Sequence, residues 1–72
     1  MNNSIKLLDV VALTENLPTE GLYRGQVGTV VEILAPDAYE VEFTNDDGQT
    51  FAMKALKDQQ LMVLYYGSIK AA

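Results

Sequence analysis

The sequence predicts an all-β fold, with five short strands wrapped into a small barrel. Three observations carry that reading. Tyr39-Glu40-Val41-Glu42-Phe43 alternates strictly between apolar and acidic residues, the pattern of a strand with one buried and one wet face. Leu22 to Leu34 opens on Gly25 and Gly28 and then runs into Val30, Val31 and Ile33, which favour a central, twisted strand. Turn-forming residues then follow at Ala35-Pro36-Asp37-Ala38 and Asn45-Asp46-Asp47-Gly48, spacing the remaining strands as a meander.

Taken in order, residues 1–4 are polar, and Ile5 to Leu13 is apolar apart from Lys6 and Asp9. Val10-Val11 make this segment a strand; a short helix with Leu7, Leu8 and Val11 on one face is the competing assignment. Thr14 to Gly21 reads as a loop, because Leu17 precedes Pro18 and is held extended. Leu17 and Leu22 are the apolar anchors expected to tuck that loop inward. Gly25 suits a turn with positive φ, and Gly28 lets the next strand bend with no side chain in the way. After the Asn45–Gly48 turn, Thr50 to Lys54 returns as a strand with Phe51 and Met53 on one face. Ala55 to Gln60 has no strand pattern, and Lys57-Asp58-Gln59-Gln60 reads as a single helical or 3₁₀ turn. Leu61 to Tyr65 is the last strand. The domain therefore spans 6–66, between a flexible N-terminus, 1–5, and a flexible tail, 67–72.

Five strands joined by a long first loop, two tight turns and one helical turn match the order of an SH3-like barrel. Within it, Gly25-Gln26-Val27-Gly28-Thr29-Val30-Val31 resembles the KOW-type motif of ribosomal and transcription-factor barrels. A wider resemblance runs through Leu7-Leu8-Asp9-Val10-Val11-Ala12-Leu13, Leu17-Pro18, Gly21-Leu22 and Arg24 to Val31. It continues through Tyr39 to Phe43, Asp47-Gly48 and Leu61-Met62-Val63-Leu64. In these stretches the chain resembles a small bacterial family of stand-alone domains, domain of unknown function 4926. That resemblance implies the extent of the domain and an SH3-like fold, and it supplies no catalytic residues.

Composition narrows the chemistry. The chain has 72 residues, enough for one domain and one small core. It contains no histidine and no cysteine, which removes the usual general base, the thiol nucleophile and most transition-metal sites. Glu40 and Glu42 share one strand face about 7 Å apart, a spacing open to a cation or a proton but also that of a solvated face. Asp46 and Asp47 read as turn formers. An enzyme is not expected, and neither a cofactor nor a metal.

Ten acidic residues against five basic ones give a net charge of −5. Such a balance disfavours nucleic acid and anionic membranes and welcomes a basic protein partner. No stretch has the length of a membrane span and the first residues lack a signal-peptide pattern, so the expected location is the cytoplasm. Candidate contact residues are Tyr23 and Arg24, the one basic-aromatic pair, the acidic Glu40 and Glu42, and Tyr65 and Tyr66 at the end of the last strand. The leading expectation is a non-catalytic protein-interaction module: an antitoxin, an inhibitor or a small accessory subunit. The alternatives are RNA binding through the KOW-like bend and self-association through an exposed edge strand.

Overall fold

The computed structural model describes residues 5–65. Its strands are β1 (Val10–Leu13), β2 (Val27–Ala35), β3 (Ala38–Thr44), β4 (Thr50–Lys57) and β5 (Leu61–Val63). They form one antiparallel sheet in the order β4-β3-β2-β1-β5. No ladder joins β4 to β5, so among the described residues both are edges and the expected barrel does not close.

The sheet is nevertheless strongly curled, and connectivity alone requires it. Leu61, the first residue of β5, pairs with Leu13, whose N–H donates to the Gln26 carbonyl at the start of β2. Lys57, the last of β4, pairs with Ala38, which pairs with Ala35 at the far end of β2. On a flat sheet the edge strands would lie about 19 Å apart across the strands, and the two ends of β2 about 30 Å apart along them. The chain crosses from Lys57 to Leu61 through the 3₁₀ turn Asp58–Gln60, and four Cα steps reach about 15 Å at most. Only a coiled sheet lets so short a connection join its two edges.

Two features of β2 permit the coil. Its pairing with β3 slips between Val30 and Glu32 and again between Ile33 and Ala35, as β-bulges that bend a strand. At Gly28 the neighbouring strands close in: a Cβ there would stand 2.7 Å from Val41 Cγ1 and 2.9 Å from the Glu42 carbonyl. No side chain fits, as the sequence led us to expect. Gly25, at φ +91°, turns the chain into β2 as anticipated.

The concave face holds the core. Val11 and Leu13 of β1, Val30 of β2, Tyr39, Val41 and Phe43 of β3, Leu56 of β4 and Leu61 of β5 belong to a single buried cluster. Both edge strands thus feed one core, each fully buried aliphatic or aromatic side chain contributing about 1.5–3 kcal/mol. Ile5, at the boundary drawn for the N-terminal segment, is buried in the same cluster. The first loop covers the concave side: Leu17 and Leu22 bridge each other and pack on the core, with Leu22 only 1% exposed. The 3₁₀ turn Pro18–Glu20 lies between them, where an irregular loop was expected. From it Glu20 reaches Lys54 Nζ of β4 at 3.1 Å.

Three strand boundaries differ from expectation, and one is the last strand, which ends at Val63 rather than Tyr65. The first strand begins at Val10 rather than Ile5, since Asp9 accepts the Lys6 N–H on its carboxylate (2.8 Å) and donates its own N–H to the Lys6 carbonyl (3.0 Å). That local turn competes with the ladder and places Leu8 at φ +72°. Conversely, β4 continues through Ala55, Leu56 and Lys57, where no strand pattern was read. The register against Ala38, Tyr39 and Glu40 decides there, not propensity.

Candidate interaction surface

Side chains that alternate away from the core line the convex face, and the register aligns them in three rows. One row is Met53, Glu42, Thr29 and Val10, from β4 across to β1. A second is Ala55, Glu40 and Glu32. The third is Val27, Ala12 and Met62, on the side of β5. Met53 and Met62 are 51% and 55% exposed, so each end of this face carries an uncovered apolar side chain. Phe51, the bulged residue of β4, is equally open. Phe51 and Met53, which the sequence put on one face, are both exposed. They point outward because the inward positions beside Phe43 and Tyr39 are taken by Ala52 and Leu56.

Glu40 and Glu42 stand on this face as anticipated, each half-buried between neighbouring strands. Glu42 accepts a hydrogen bond from the Thr50 hydroxyl across the β3–β4 ladder. Glu40 lies directly opposite Glu32, a like-charge pair that destabilises a sheet. Tyr23 and Arg24 sit in the turn before β2. The Tyr23 N–H donates to Gln26 Oε1 (2.6 Å) and the Arg24 N–H to Asn16 Oδ1 (2.9 Å), which leaves both side chains exposed. Arg24 also borders a half-open depression of about 290 Å³ lined by Ala12, Leu13, Thr14, Gly25 and Met62. Among the described residues its guanidinium makes no ion pair.

The predicted contact residues do not form one patch. Gly25 donates to the Leu13 carbonyl and Leu64 to the Val10 carbonyl. Arg24 and Tyr65 therefore lie at opposite ends of β1, about 10 Å apart along the strand. Glu40 and Glu42 are two strands away from β1. Tyr66 lies outside the described residues. None of Met53, Met62 and Phe51 was among the predicted contact residues, although the sequence had put Phe51 and Met53 on one strand face.

Both ion pairs among the described residues tie connections to β4: Lys54 with Glu20, and Lys57 with Asp37 at 4.0 Å. No group of three or more Asp or Glu among the described residues could hold a metal ion. Among the described residues no helix is long and apolar enough to cross a membrane.

Fold and surface together define a class: a small all-β domain built on one coiled, five-stranded antiparallel sheet with a mixed acidic and apolar convex face. The chain belongs to the family described as Domain of unknown function (DUF4926), whose model matches residues 7–63. No curated protein matches it, and no solved structure does.

Proposed function

We propose that this protein is a non-catalytic protein-interaction module (an antitoxin, an inhibitor or a small accessory subunit) on an SH3-like scaffold. The SH3-like reading is supported by the strand order, the long first loop folded over the core and the 3₁₀ turn that joins the two edge strands. One observation carries the functional reading. The concave face of the sheet is filled, whereas the convex face leaves Met53 uncovered beside Glu42, and Val27 and Met62 uncovered toward β5. Apolar side chains interleaved with charge suit a protein partner whose own charge is complementary. With a net charge of −5, that partner is basic.

The test is capture of the tagged full chain from native host lysate after cross-linking, with and without nuclease, read by mass spectrometry. One stoichiometric protein retained through nuclease treatment, with cross-links on the convex face, is the expected result. Ribosomal or transcription proteins lost on nuclease treatment would replace this reading with RNA binding.

A further inference from the structure

Resting on the interaction reading, we propose that the free edge of β4 receives an extended, basic segment of the protein partner, which adds to the sheet as a sixth strand. β4 is eight residues long and, among the described residues, pairs only with β3. Its sequence, Thr50 to Lys57, contains no proline. Beyond the bulge at Phe51, alternate residues from Ala52 to Lys57 turn N–H and C=O groups outward, ready for a further strand. The opposite edge, β5, offers only three residues.

The chemistry beside this edge selects the occupant. On the convex face Met53 pairs with Glu42 and Ala55 with Glu40. A side chain on an added strand opposite Ala55 would start about 10 Å from the Glu40 backbone. The methyl group of Ala55 leaves that path open, so a Lys or Arg can lie across it to the carboxylate. An apolar residue two positions along would cover Met53. The cations of β4 do not oppose this, since Lys54 is held by Glu20 and Lys57 stands against Asp37. Asp46 and Asp47, in the turn that feeds β4, add to the negative charge the edge presents. A second copy would bring the same acids edge to edge, and like charges disfavour it.

The test uses the isotope-labelled full chain and an acetylated, amidated probe peptide, Thr-Lys-Thr-Val-Thr-Lys-Thr, with a control in which Glu replaces both Lys. Amide shifts confined to Thr50–Lys57 and its β3 neighbours are expected with the basic peptide, weakening as salt is raised and absent with the acidic one. Glu40→Gln should weaken binding roughly two- to fivefold, as loss of one exposed charge pair does. Ala55→Lys should abolish it. Both positions lie on the convex face, and each variant's own spectrum reports whether it is folded. No shift with the basic peptide, equal shifts with the acidic one, or shifts centred on Leu61–Leu64 would overturn the proposal. So would a dimer joined at β4 in sedimentation and cross-linking. A host partner whose capture survives Glu40→Gln and Ala55→Lys would overturn the β4 site while leaving the interaction module standing. Failure to capture any protein would remove the module itself.

Discussion

The two edges of the sheet begin from the same chemistry and end differently. Among the described residues β4 and β5 each have one paired and one unpaired side, and each plants one leucine in the common core, Leu56 and Leu61. Yet β5 is three residues long, whereas β4 runs for eight with Phe51 and Met53 exposed. Shortness is one of the usual ways an edge is kept from pairing with other chains. The contrast teaches that an edge can be structurally complete, with its inward residues fully used, and still be chemically unfinished outside.

The largest test of this comparison concerns what the edges share. Leu56→Ala and Leu61→Ala should each cost about 2–4 kcal/mol in urea unfolding, the range for truncating a buried leucine. A large loss at one edge and a negligible one at the other would mean that the two do not feed a single core. A smaller effect is expected at the junction between them. The Gln60 side chain accepts the Lys57 N–H on Oε1 and donates from Nε2 to Glu15 Oε2, both at 2.9 Å. Gln60→Ala should lower stability by about 1 kcal/mol. Gln59→Ala, at an exposed neighbour, should stay within about 0.5 kcal/mol.

Smaller still is the tie between the first loop and β4. A double-mutant cycle on Glu20 and Lys54 should give a coupling below about 1 kcal/mol, falling further in high salt. Both side chains are more than a third exposed, so solvent screens the pair. Smallest of all is the convex face. Met53→Thr and Met62→Thr should each leave the unfolding midpoint nearly unchanged, within about 0.5 kcal/mol. If Met53→Thr were strongly destabilising, β4's outer side would be part of the fold rather than a free surface.

Much of this architecture was legible in the residues, and the parts that were not share a cause. β3 announced itself through alternation alone, and Leu17 and Leu22 fold inward as their place around Pro18 implied. Gly28 was readable because a glycine followed by β-branched residues signals close backbone approach. The early end of the first strand was hidden in one side chain, Asp9, which diverts the backbone at Lys6. The extension of β4 was hidden because Ala55 and Lys57 are strand residues only by virtue of their partners Glu40 and Ala38. The surface was legible by residue type and not by place. Glu40 and Glu42 were found, but no sequence pattern reveals that register sets Met53 and Ala55 beside them. The expected closure of the barrel likewise turned on β4 and β5, the strands farthest apart in the sheet.

The pairing of β1 with β5 has a consequence in time. Val11 meets Val63, and Leu13 meets Leu61, so the first strand waits for almost the last described residues before its second neighbour exists. At a synthesis rate of about 5–20 residues per second, that wait lasts roughly 3–10 s on the ribosome. Until then Val11 and Leu13 belong to a sheet lacking one margin, and the nascent chain presents β1 as an edge in place of the three-residue β5. Ladders between such distant residues also fold slowly after release. In a crowded cell, the order in which this small protein is made therefore governs its chance of aggregating as much as the stability it finally reaches.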